Sequence, residues 1–164
     1  MCDNYPHEFT WSFMYNRGVA PSMYDTILVP TDGSETSARA GREAFRLARE
    51  LGSTVHVLFV IDESASSFLL SGDTMSEVLD ELRLRGKDAL DVTAAEADSV
   101  DVVTEMVRGV KVADAITEYA AAHDVDLVVM GTRGRHGVDH LLGSTTERVL
   151  ARIDRPTLVV GDGT

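Results

Sequence analysis

The chain has 164 residues, enough for one domain with its own core, and 44% of them are hydrophobic against 26% charged, the balance of an ordinary globular protein. Its formal net charge of −12 speaks against nonspecific nucleic-acid binding, which needs a basic surface to displace phosphate counterions. A lone cysteine, Cys2, leaves no internal disulfide and no cysteine metal cluster, and no apolar run approaches the roughly 20 residues that cross a bilayer.

The opening residues lack the basic start and apolar stretch of a signal peptide, so the expected location is the cytoplasm, with no membrane partner. Of the 15 basic residues only Lys87 and Lys111 are lysine, the rest being arginine. Many carboxylates with almost no lysine is the surface expected of a protein kept soluble in high salt, which points to a halophilic source.

Residues 1–22 differ in character from the rest of the chain. Tyr5, Phe9, Trp11, Phe13 and Tyr15 alternate with polar residues without a sustained period. The segment is read as an N-terminal extension, either disordered or a misassigned start ahead of Met23, and the domain as residues 23–164.

From Met23 onward strands and helices alternate. The first strand is expected at Thr26–Val29. The first helix runs from about Ser34 to Leu51, with Ala38, Gly41, Phe45, Ala48 and Leu51 on one face, Ser34 or Asp32 capping its start and Gly52 ending it. The second strand, Thr54–Ile61, is apolar nearly throughout, as a strand covered on both faces must be. A helix over about Asp73–Ala97 comes next, then a strand at Val100–Val107 and a helix over about Val112–His123. The chain closes with a strand at Asp126–Met130, a helix from Ser144 through Ile153, and a strand at Pro156–Val160. Five strands in strict alternation with four helices predict an α/β fold, an open parallel sheet with helices on both faces and right-handed crossovers. Ligands in such sheets bind beyond the carboxyl ends of the strands, where the strand order reverses.

Gly131, Gly134 and Gly137 follow the fourth strand, and Gly143-Ser144-Thr145-Thr146 stands before the last helix. A strand, a glycine-rich loop and a hydroxyl-rich helix start can hold phosphate, because glycine lets the backbone approach oxygen and unpaired N–H groups attract negative charge. The bland alternatives are that Gly131 and Gly134 only make a turn and that Ser144 is only a helix cap. Asp32 likewise suits the two hydroxyls of a ribose or the capping of the first helix. His136, Asp139 and His140 have a metal-like spacing that Gly137 interrupts, so no metal site is expected. No Walker loop is present, since Gly86-Lys87 is followed by Asp88 within a helical pattern, and no nucleophile stands with a base at motif spacing.

Three segments resemble the universal stress protein family. Tyr24-Asp-Thr-Ile-Leu-Val-Pro-Thr-Asp-Gly-Ser34-Glu is similar to its opening strand and turn, and His56-Val-Leu-Phe-Val-Ile-Asp62 to its second strand. Gly131-Thr-Arg-Gly134 with Gly143-Ser144 and Thr-Glu-Arg-Val149 resembles its nucleotide loop. The resemblance implies a flavodoxin-like or Rossmann-like sheet of order 3-2-1-4-5, a homodimer formed through the fifth strand at 156–160, and membership of the branch that binds ATP, with Mg²⁺ or Mn²⁺ carried by the nucleotide. It places Pro30, Thr31 and Asp32 beside adenine and ribose, Val60 against adenine, and Met130, Gly131, Gly134, Gly143, Ser144 and Thr145 around the nucleotide and its phosphates. Two features depart from the family. Eight residues, Arg135 to Leu142, separate Gly134 from Gly143 where nine are usual, and Lys111 stands where proline is common. The function implied is a nucleotide-dependent stress sensor or switch. The rivals are a member that binds no nucleotide and works through dimerisation or partner contacts, and a slow ATPase.

Overall fold

The computed structural model describes residues 23–64, 73–132 and 142–161. The expectations for the segment 1–22, for Gly134 and for the histidines at 136 and 140 lie outside the described residues. Among the described residues nine elements succeed one another: β1 (Thr26–Pro30), α1 (Glu35–Leu51), β2 (Thr54–Asp62), α2 (Asp73–Ala95), β3 (Val102–Gly109), α3 (Val112–Ala122), β4 (Leu127–Gly131), α4 (Ser144–Leu150) and β5 (Thr157–Val160). All strand pairs are parallel, in the order β3-β2-β1-β4-β5, as the family resemblance implies.

Side chains alternate along each strand and so divide the core in two. Ile27 and Val29 point toward α1 and α2, where Phe45, Ala40 and Ala44 meet Val55, Val57 and Val129. Leu28 points the other way, joining Leu58, Val128 and Met130 beneath Ile116 and Val149 of α3 and α4. The central strand β1 is therefore buried on both faces, which explains its unbroken apolar run. Close helix approach depends on small residues. A Cβ at Gly86 would stand 2.7 Å from both Phe59 and Met106, so the glycine that precedes Lys87 is a packing position of α2 and not part of a phosphate loop.

The sequence misplaces some boundaries. β3 begins at Val102 rather than Val100, because the preceding turn puts Ser99 in the left-handed region at φ 59°, and it runs on to Gly109 beside Asp62. The last helix stops at Leu150, although its hydrogen bonds run on through Ile153 N–H to the Val149 carbonyl. On α1 the buried face is Thr36, Ser37, Ala40, Gly41, Ala44, Phe45 and Ala48, whereas Ala38 and Leu51 stand only at its margin. Ser34, not Asp32, caps this helix, its hydroxyl accepting the Ser37 N–H at 3.2 Å, and Gly52 ends it at φ 73°.

The pairing of β1 places the site. Against β2 it continues to Pro30 opposite Leu58, and the Thr31 N–H extends the ladder to the Leu58 carbonyl at 2.8 Å. Against β4 the register ends at Leu28 opposite Val128. The two strands part beyond that point, where the strand order reverses, and a crevice opens between their carboxyl ends.

Candidate functional site

The crevice is a cavity of about 610 Å³, within the range of small-molecule sites. From β1 and its turn, Pro30, Thr31 and Asp32 reach it; Val60 reaches it from β2; Met130 and Gly131 from β4; and Gly143, Ser144 and Thr145 from the start of α4. Nine of the ten residues expected at a site, drawn from four separate segments, thus share one cavity, and the tenth, Gly134, lies outside the described residues.

Local chemistry shapes the first wall. The Asp32 carboxylate accepts the Ser34 N–H at 3.0 Å, an Asx turn that swings the chain from strand to helix. Thr31 is buried; its hydroxyl accepts the Gly33 N–H at 3.2 Å and shares a 3.1 Å hydrogen bond with the Ser37 hydroxyl. Gly33 itself adopts φ 75°, which only glycine takes without strain. Asp32 is left half-buried at the cavity edge, an acceptor positioned by its own turn.

The opposite wall is held by contacts distant in sequence. A Cβ on Gly131 would lie 2.8 Å from the Thr36 methyl and 2.9 Å from the Thr36 carbonyl oxygen, so a glycine is demanded there by the approach of α1. The buried Thr146 hydroxyl donates to the Gly131 carbonyl at 2.9 Å and ties α4 to the end of β4. The Gly143 N–H donates to the Thr132 carbonyl at 2.5 Å, which pins together the two ends of the intervening loop. Gly143 is the N-cap of α4 and offers no side-chain cap, so Ser144 is the first helical residue and not the cap.

The cavity also gathers residues that sequence reasoning left out. Val110, Lys111, Val112 and Ile116 come from the end of β3 and the start of α3, Asp62 from β2, Arg85 from α2 and Arg148 from α4. The signal for the β3 group was available, because every strand of a parallel sheet ends on the same rim. Arg85 and Arg148 depend on helix orientation, which no local pattern states. The Asp62 carboxylate accepts the Ser64 N–H at 2.9 Å and the Ser64 hydroxyl at 2.6 Å. Among the described residues no group of three or more His, Cys, Asp or Glu converges as a metal site.

Comparison with known proteins settles the family. The universal stress protein family description matches residues 23–161, a span that takes in every described residue. The chain belongs to the universal stress protein family. Universal stress protein MJ0531 of Methanocaldococcus jannaschii is 37% identical over 142 residues, covering 85% of this chain and 83% of that protein. Among solved structures, MJ0577, a universal stress protein of the same organism, superposes with a TM-score of 0.77 at 29% identity over 87% of this chain and 99% of that one. A universal stress protein solved in complex with cAMP superposes with a TM-score of 0.60 at 26% identity over 84% of this chain and 97% of that one.

Away from this universal stress protein's crevice, His56 of β2 meets α3. Its Nδ1 is 2.9 Å from the Tyr119 hydroxyl, a hydrogen bond that joins strand to helix. Tyr119 stacks on His123 with ring centroids 3.8 Å apart, and the His123 Nδ1 donates to the Tyr119 carbonyl at 3.0 Å. Burial, and then the neighbouring His123, hold the His56 imidazole below its ordinary pKa, and burial raises that of Tyr119. No helix among the described residues is long and apolar enough to cross a membrane.

Proposed function

We propose that this universal stress protein binds ATP in the crevice between β1 and β4 and acts as a nucleotide-dependent sensor or switch. The observation that supports it is the convergence of Pro30, Asp32, Val60, Met130, Gly131 and Ser144, with their neighbours, on one cavity of mononucleotide size. The chemistry of the walls suits the parts of the ligand. Val60, Met130 and Ile116 offer an apolar slot to adenine, the Asp32 carboxylate can accept ribose hydroxyls, and Ser144 and Thr145 bring N–H and hydroxyl donors to phosphates, with Gly143 leaving the approach open. A Mg²⁺ or Mn²⁺ would arrive with the nucleotide, and the Ser144 and Thr145 hydroxyls are the groups on this wall that could hold it. That a related universal stress protein has been solved with cAMP adds support for an adenine nucleotide.

The decisive test begins with protein purified in high KCl, denatured, and searched for released nucleotide. ATP with Mg²⁺ is then titrated by calorimetry. Absence of both bound nucleotide and heat of binding would sink the proposal; phosphate release over hours would instead favour a slow ATPase.

A second reading is favoured by β5. This strand pairs with β4 on one side, and Leu158 is an exposed large apolar residue on it. An apolar edge of this kind suits pairing with a second copy through residues 156–160, and a member of the family could work through that contact alone. Leu158→Lys should convert a dimer to monomer in sedimentation while leaving nucleotide binding in place.

A further inference from the structure

In a chain with 27 acidic and 15 basic residues, the cavity reverses the balance, lining its walls with Arg85, Lys111 and Arg148 against Asp32 and Asp62. The three cations are not equally committed. Of the twelve basic residues described, ten stand within 4.0 Å of a carboxylate. Arg49 donates to the Phe45 carbonyl instead. Arg148 has neither kind of partner among the described residues. Arg85, by contrast, is held by Glu81 at 2.5 Å, and Lys111 only reaches Asp114 at 4.0 Å, a carboxylate that also pairs with Arg152. In so acidic a protein an arginine on a cavity wall without a carboxylate is the feature that calls for an anion.

Its place gives the anion a length. Arg148 follows Ser144 by four residues on α4, so both lie on one helix face about one turn, roughly 5.4 Å, apart. A single phosphate held at Ser144 and Thr145 does not span that turn, whereas a second and third phosphate do. We propose that Arg148, assisted by Lys111, makes this cavity select nucleoside polyphosphates over monophosphates. The proposal rests on nucleotide binding in this crevice. The guanidinium forms its charge-assisted hydrogen bonds only with the outer phosphates, so its contribution appears in ATP and not in AMP affinity.

The test titrates ATP, ADP and AMP by calorimetry, at fixed Mg²⁺ and KCl, into wild type, Arg148→Ala, Arg148→Lys and Lys111→Ala. The expected result is that Arg148→Ala weakens ATP binding about tenfold while AMP affinity stays within about twofold. Arg148→Lys should fall between, keeping charge without the planar fork, and Lys111→Ala should show the same pattern more weakly. The salt dependence of ATP binding should also flatten in Arg148→Ala, as one ion pair fewer is screened. Equal losses for ATP and AMP, or no loss for either, would overturn the proposal while leaving nucleotide binding intact. Wild type that binds AMP as tightly as ATP would overturn it in the same way, and wild type that binds no adenosine nucleotide would overturn both. Melting temperatures serve as the fold control, since Arg148 is exposed and outside the core.

Discussion

Past the strand bond from Thr31 to Leu58, the side chains of the crevice wall that follows β1 bond to near neighbours, whereas the wall that follows β4 is held by residues far away in the chain. Asp32 bonds to Ser34, and Thr31 to Gly33 and Ser37, all within six residues. Gly131 presses on Thr36, Thr146 reaches back to Gly131, and Thr132 bonds to Val160. A wall of the first kind tolerates loss of a side chain, because its turn is rebuilt locally. The second kind transmits any change of volume into the packing of α1 on the sheet.

The strongest challenge to this contrast is Gly131→Val. Its side chain must displace the Thr36 backbone, and overpacking of this kind costs about 3 kcal/mol, a fall in melting temperature of roughly 10 °C. An unchanged melting curve with lost nucleotide binding would assign Gly131 to the ligand and not to packing. Asp32→Asn should do the opposite. The amide oxygen can still accept the Ser34 N–H, so the turn and the melting temperature persist while ATP affinity falls about tenfold with loss of the charged acceptor. If the melting temperature drops instead, the carboxylate is structural.

The glycine carries the main lesson about legibility. From sequence, Gly131 reads as a place where backbone approaches phosphate, and its clash with Thr36 cannot be inferred because it joins segments 95 residues apart. Ser34 and Asp32 both read as caps of the first helix because such bonds are local, and the cap falls on Ser34 while Asp32 makes the turn before it. The alternation of elements was legible from hydrophobic period alone, and the strand order came with the family resemblance. Arg148 was visible only as part of a motif, because its place on the cavity wall depends on how α4 rotates over Val149.

Thr146→Val offers a smaller probe of the distant wall. It keeps the volume and removes the hydroxyl that donates to the Gly131 carbonyl, for an expected loss of about 1 kcal/mol in denaturant unfolding. A neutral result would mean the tie between α4 and β4 rests on packing alone.

The smallest effect lies outside both walls, at His56, and serves as their control. Tyr119 of α3, His123 at its C-terminal cap and Glu105 of β3 surround it. Because its folded pKa is lowered, the unfolded chain binds the proton more readily, so the stability it contributes is fully present above the ordinary value of 6.5 and is lost as pH falls through the folded pKa. His56→Gln should flatten the pH dependence of unfolding on the acid side and leave nucleotide affinity unmoved; an unaltered pH profile would mean that other groups set the acid limb.

The bond from the Thr132 N–H to the Val160 carbonyl, at 2.8 Å, and that from the Gly143 N–H to the Thr132 carbonyl place one residue between the outermost strand and the helix beside the cavity. Thr132 is therefore a hinge pin shared by the sheet edge and the loop base. A strand added to β5 would bear on one side of that pin, and a ligand in the crevice on the other. By thermodynamic reciprocity, any help that edge occupancy gives to binding in the crevice is returned in equal measure to association at the edge.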